Sequence, residues 1–244
     1  MGQKKLQRFA ELETFANVFQ FPLDIKGNWK TYFKNNHPIT LELACGKGEY
    51  ALGLGRLYPQ RNFIGVDIKG NRIWVGAKKA MTEGLENIAF LRIQIDQLNN
   101  YFSPAEVNEI WVTFPDPQLR FSKAKKRLTH PKFLRLYQQI LSPDGYINLK
   151  TDSPELYRFT KLVIEHYGCD LLEDNDNVFG SSAVSEELKI RTHYESLDIA
   201  GSQRIHYLRF SLPPDLGGKE KEDQFREKLK EYEGMDRGGT LLFE

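Results

Sequence analysis

The chain has 244 residues, a formal net charge of +1, and 40% hydrophobic and 27% charged residues. That balance excludes a disordered or fibrous polymer, and no stretch approaches the roughly 20 apolar residues of a membrane span. Two cysteines, Cys45 and Cys169, are too few for a disulfide scaffold, so one large α/β domain in the cytoplasm is the expectation.

Residues 1–39 read as an N-terminal appendage. Phe9, Leu12, Phe15, Phe19 and Phe21 are too apolar for a free tail. They predict a short helix and an irregular segment, packed on the main domain or over its active-site mouth. From Thr40 the pattern becomes periodic. Leu41, Leu43 and Ala44 form an apolar run ending at Cys45-Gly46-Lys47-Gly48, and a helix follows over 49–57. A second strand runs from Phe63 to Val66 and ends at Asp67, with a helix over 71–83. Ile88 to Arg92 and Val107 to Phe114 predict the third and fourth strands. Phe133, Leu134, Tyr137, Ile140 and Leu141 give a helix face by their spacing. Gly145 to Thr151 is a fifth strand, and Leu156, Phe159, Val163 and Ile164 mark the next helix. Cys169 to Leu172 and Ile205 to Leu212 complete the strands. Repeated strand–loop–helix units favour an open, mostly parallel sheet with helices on both faces. The main domain spans 40–214, with a loop insertion at 177–204 and a charged tail at 215–244. Within that tail, 224–232 predicts a helix.

The chemistry collects at strand ends. Gly46 and Gly48 suit a tight turn and close approach of a ligand to the backbone. Asp67 ends the second strand, where a carboxylate can accept ribose hydroxyls, and Asp96 follows the third. Glu42 stands inside the first strand. Neither a phosphate-loop motif nor a full dinucleotide fingerprint is present. Cys45 reads as a turn-lining thiol with no histidine partner in the sequence nearby. The five histidines show no metal-ligand spacing with the cysteines.

The densest signal is Phe114-Pro115-Asp116-Pro117 after the fourth strand. The prolines turn the chain and deliver Asp116 at the strand end. Arg120, Lys123, Lys125, Lys126 and Arg127 follow, with no acid from Pro117 to Pro143. Such a run suits nucleic-acid phosphates, although a solvated basic loop has the same composition. Lys150-Thr151-Asp152 forms a further polar strand end, and Thr192-His193-Tyr194-Glu195 lies in the insertion. Asp152 also reads as a cap for the helix near Pro154.

Taken together, these motifs resemble the bacterial tRNA guanine-N7 methyltransferase family over about residues 40–212. The most specific are Phe114-Pro115-Asp116-Pro117 with Lys125-Lys126-Arg127, then Thr151-Asp152 and Thr192-x-Tyr194-Glu195 followed by Gly201. The resemblance implies a Rossmann-like class I methyltransferase fold. It implies methyl transfer from S-adenosylmethionine to guanine N7 in tRNA, usually at guanosine 46. It places Glu42, Gly46, Gly48, Asp67, Asp96 and Asp116 at the cofactor, with Asp116 also catalytic. Arg120, Asp152, Thr192, Tyr194 and Glu195 fall on the substrate side, and Lys123, Lys125, Lys126 and Arg127 at the RNA. No metal, no membrane and no different protein subunit is implied, and monomer and homodimer both remain open. A methyltransferase for another RNA base, or an inactive tRNA-binding protein, is the alternative. The chain departs from the family pattern at Ala44 (commonly glycine), Asp67 (glutamate), Gln118 (tryptophan) and Arg120 (lysine).

Overall fold

The computed structural model describes residues 2–180, 184–193, 195 and 204–236. Its centre is an eight-stranded sheet with the order β1-β4-β3-β2-β5-β6-β8-β7. Strands β2 (Ile39–Leu43), β3 (Asn62–Asp67), β4 (Ile88–Arg92), β5 (Val107–Thr113) and β6 (Leu141–Thr151) run parallel. β8 (His206–Ser211) lies antiparallel between β6 and β7 (Asp170–Asn175). The short apolar runs have the composition of strands covered on both faces: every residue of β2 and β3 is buried.

Helices α3 (Glu49–Leu57) and α4 (Gly70–Thr82) help build one apolar cluster with Tyr50, Phe63, Phe90 and Trp111. Helices α5 (Pro131–Gln138), α6 (Pro154–Tyr167) and α8 (Lys219–Asp236) contribute to another, with Trp29, Tyr137, Phe159 and Phe225. β5 serves both clusters by alternation, with Val112 in one and Trp111 in the other.

The N-terminal segment is more integrated than an appendage. Helix α1 (Gly2–Leu12) packs on α4, with Trp74 Nε1 donating to Glu11 Oε2 at 2.9 Å. Val18–Gln20 forms β1, an edge strand parallel to β4, and helix α2 (Trp29–Phe33) buries Trp29 completely. Three half-buried residues are too few to display a strand period, so their sequence gave no sign of β1. Ile140 and Leu141 lie beyond α5 rather than on its face, and Leu141 pairs with Val107. The C-terminal helix is longer than its apolar pattern suggested. Phe225 and Leu229 hold it to the core at 1% and 3% exposure. The insertion carries a short helix, α7 (Glu186–Lys189). Among the described residues no helix is long and apolar enough to cross a membrane.

Candidate active site

Strand order reverses between β2 and β5: β3 follows β2 on one side of it, and β5 and β6 continue on the other. Parallel strand ends at such a reversal leave a crevice. A cavity of about 760 Å³ lies there, lined by Ala44, Asp67, Phe114, Asp116, Asp152 and neighbours. Four carboxyl-terminal strand ends, from β2, β3, β5 and β6, therefore feed one space.

The wall from β2 is the glycine turn. Gly46 and Gly48 take φ of 57° and 67°, and Gly48 N–H donates to Cys45 O at 2.7 Å. A side chain on Gly48 would meet the Phe90 ring at 2.4 Å, so this glycine is required by packing beneath the turn. Gly76 on α4 is equally confined, because its Cβ would fall 2.3 Å from Lys47 O. Ala44, just before this turn, has φ 55°. A left-handed alanine costs about 1–2 kcal/mol, which the surrounding packing must overcome.

Two carboxylates brace this turn. Asp67 accepts Gly46 N–H at 2.9 Å and Lys69 N–H at 2.8 Å, and also lines the cavity. Glu42 is 3% exposed and lies behind the turn. It accepts Ala51 N–H at 2.8 Å and bonds Thr113 Oγ1 at 3.2 Å, joining β2, α3 and β5. Burial pushes its carboxyl up to about 8, despite the opposing Ala51 and Thr113 hydrogen bonds. Burial also raises the Cys45 thiol well above its ordinary range, so it carries no nucleophilic thiolate.

The wall from β5 is the Pro-Asp-Pro turn. Phe114 and Gln118, on its two sides, have φ of 46° and 47° without being glycine. Asp116 is exposed, and its Oδ1 accepts Gln118 N–H at 3.0 Å. Asp152 is half-buried in the same lining. The cap of α6 is Ser153, whose Oγ accepts Leu156 N–H at 3.1 Å. Asp152 therefore does not serve as the cap.

Beyond this wall, Phe121–Lys126 forms a 3-10 turn with Lys123, Lys125 and Lys126 exposed. Lys125 approaches Glu222 of α8 at 3.7 Å. Arg120 is exposed at the start of that turn, outside the cavity lining. Arg127 differs from the basic residues before it and corrects the expectation of an RNA contact. It is 4% exposed, and its guanidinium donates to the carbonyls of Pro117 and Gln118. A group enclosed this way is not presented to a phosphate.

Asp96 and the cavity are not brought together. Asp96 is exposed in the 3-10 turn Ile95–Asn100 and pairs with Lys132 on α5. Thr192 is 6% exposed, and its Oγ1 accepts Glu195 N–H at 3.2 Å. Glu195 meets Lys150, a fully buried lysine at the end of β6. Sequence reasoning placed Lys150 in a polar strand end but gave it no role of its own. Its signal was the parity of Asn148 and Lys150 within an apolar strand, which puts two polar side chains on one buried face. Tyr194 and Gly201 lie outside the described residues. Among the described residues, no group of three His, Cys, Asp or Glu is placed to hold a metal ion.

Comparison with known proteins bears on this geometry. The family model described as "Putative methyltransferase" matches residues 36–206. A tRNA (guanine-N(7)-)-methyltransferase of Porphyromonas gingivalis is 46% identical, over 86% of this chain and 90% of its own. The same-named protein of Bacteroides thetaiotaomicron is 41% identical, over 97% and 96%. Among solved structures, the 16S rRNA methyltransferase KamB superposes with a TM-score of 0.59 at 16% identity, covering 77% of this chain and 94% of its own. That likeness concerns the fold alone, which is the Rossmann-like class I methyltransferase architecture. Sequence identity of this extent over nearly the whole length decides the narrower question: the chain belongs to the tRNA (guanine-N(7)-)-methyltransferase family.

Proposed function

We propose that the protein transfers a methyl group from S-adenosylmethionine to N7 of guanine in tRNA, with guanosine 46 of the variable loop as the target. The observation that carries this reading is the meeting of Asp67, Asp116 and Asp152, from three separate strand ends, around one cavity. The residues present fit the methyl donor. About 760 Å³ accommodates a nucleoside with an amino-acid side arm. Asp67 uses one bond per oxygen on the backbone, leaving lone pairs for ribose hydroxyls. Acidic side chains in the lining also suit a ligand that carries positive charge.

When bound, S-adenosylmethionine supplies an electrophilic methyl group on a sulfonium. Guanine N7 already holds a lone pair, so the chain need not remove a proton to make a nucleophile. Its work is alignment and the exclusion of water. Gly46, Gly48 and Asp67 shape the cofactor side, and Glu42 fixes the turn from behind. Asp96, paired with Lys132, acts outside this set. Asp116 and Asp152 accept from guanine donors and stabilise charge developing on the ring. Arg120 belongs to the rim on the substrate side, and Thr192 acts from behind it, through the Glu195 N–H that its Oγ1 accepts. Lys123, Lys125 and Lys126 hold the tRNA backbone. The partner is tRNA, and a cytoplasmic setting without a different protein subunit completes the reading.

The test is methyl-labelled S-adenosylmethionine with unmodified tRNA, followed by nucleoside mapping. N7-methylguanosine at position 46 supports the reading; label on another base replaces it. In Asp116→Asn the rate at saturating substrates falls by about 100-fold while both ligands still bind. A wild-type rate removes the carboxylate from the mechanism.

A further inference from the structure

Arg127 is the one basic residue of the Arg120–Arg127 run that the fold encloses. Its guanidinium lies over the Phe159 ring of α6, 4.4 Å from the centroid. From that seat Nε donates to Pro117 O at 3.2 Å, while Nη2 donates to Gln118 O at 3.2 Å. Both carbonyls belong to the two residues that follow Asp116. Gln118 then returns its own N–H to Asp116 Oδ1 at 3.0 Å. A connected path therefore runs from α6 through the Arg127 guanidinium and Gln118 to the Asp116 carboxylate.

The turn that carries Asp116 is not held by its own backbone preference. Phe114 and Gln118 both occupy the left-handed region without being glycine. Such conformations persist only where the surroundings over-determine them. On one side the turn is tied to β6, because Phe114 N–H donates to Lys150 O at 2.8 Å. On the other side the charged, planar group of Arg127 supplies the tie.

We propose that Arg127 is a positioning residue that fixes the Asp116 carboxylate at the cavity mouth. The inference rests on the reading of Asp116 given above. Arginine is required for its shape: one planar fork can stack on an aromatic face and bond two carbonyls, which a lysine ammonium cannot reproduce. A phosphate contact would make the opposite demand, since Lys keeps the charge.

The experiment measures single-turnover methyl transfer to tRNA by Arg127→Lys, Arg127→Ala, Asp116→Asn and Asp116→Asn/Arg127→Lys. tRNA affinity is measured for each across a salt series. In Arg127→Lys the rate falls by about tenfold or more. Its tRNA affinity stays within about twofold of wild type, with an unchanged salt slope. Free guanidinium at low concentration restores part of the rate to Arg127→Ala. The double variant is no slower than Asp116→Asn alone, because one residue acts through the other. A wild-type rate in Arg127→Lys overturns the proposal, as does weakened tRNA binding with a shallower salt slope. Additive losses in the double variant overturn it too. If Arg127→Ala does not fold, Arg127→Lys and the double variant decide. A slow Arg127→Lys beside a wild-type Asp116→Asn removes the role of Asp116, and anchoring through it. A wild-type Arg127→Lys beside a slow Asp116→Asn removes only the anchor.

Discussion

Lys150 Nζ and Glu195 Oε2 stand 3.0 Å apart, with side-chain exposures of 0% and 7%. The same ammonium donates to Leu188 O and Ile190 O, each at 2.9 Å. One buried cation at the end of β6 thus fastens both α7 and the segment after it beside the Asp152 strand end. Burial lowers the Lys150 pKa, and Glu195 works against that shift. Glu195, expected on sequence grounds to face guanine, is here the counter-ion of a structural lysine.

Removing one partner of such a pair leaves the other buried without compensation. Lys150→Met is expected to lose about 3 kcal/mol of stability in urea unfolding. Lys150→Met/Glu195→Gln removes both charges and recovers most of that loss. An unchanged unfolding midpoint in the single variant would show that the pair does not hold the insertion down.

Glu42 gives a pH dependence of definite sign. Its carboxyl is raised from 4.5 to about 8 by burial. The unfolded chain therefore releases this proton first as pH rises. The contribution to stability is full below about 4.5 and is lost progressively up to about 8. Glu42→Gln keeps an acceptor for Ala51 N–H and sets an amide against Thr113 Oγ1, whose hydroxyl can accept from it, but does not titrate. Between about 6.5 and 8, its stability should be flatter than wild type. Parallel profiles would mean that Glu42 is ionised in the folded protein.

The sequence displayed most of the fold because parallel strands covered on both faces are written as short apolar runs, as in β2 and β3. β1 and the start of β6 were illegible for a different reason: long-range pairing with β4 and β5 sets them, and local period does not. At the site, Asp67, Asp116 and Asp152 were legible because each ends a strand beside a turn former. Arg127 and Asp96 were misleading, since composition does not say which side of a turn a charge faces. Arg127 turns inward to carbonyls, and Asp96 turns to Lys132. Gly76 was silent, because nothing local reveals that its missing side chain makes room for Lys47 O.

The three exposed lysines make a salt prediction. Each phosphate neutralised contributes roughly 0.7–0.9 to the slope of log affinity against log salt. Replacing Lys123, Lys125 and Lys126 by alanine should reduce the slope by about 2. Glu222 competes for this surface, because it approaches Lys125 at 3.7 Å and bonds Arg135 at 3.2 Å. Glu222→Gln should therefore tighten tRNA binding by about two- to threefold at low salt, with less effect at high salt. Fluorescence-anisotropy titrations over a salt series read both effects. Unchanged slopes would remove the lysines from the phosphate-contact surface.

His130 supplies the slope opposite to that of Glu42. Its Nδ1 accepts Lys132 N–H at 3.0 Å and caps α5, which requires a ring nitrogen free of a proton. Burial lowers its pKa from 6.5 to about 4, and Lys125, Arg127, Arg135 and Lys132 push in the same direction. The unfolded chain takes up this proton first as pH falls. The stabilisation is full above about 6.5 and is lost progressively down to about 4. Between about 4.5 and 6.5 the two groups oppose each other, so the wild-type profile conceals both. His130→Asn keeps a capping acceptor without the titration. Its stability should lose less than wild type as pH falls through this range. Glu42→Gln should lose more than wild type over the same range, since the stabilisation that Glu42 gains on acidification is absent. Urea midpoints measured from pH 7 to pH 4 separate the two, and a His130→Asn profile parallel to wild type would mean that the ring protonates in the folded state.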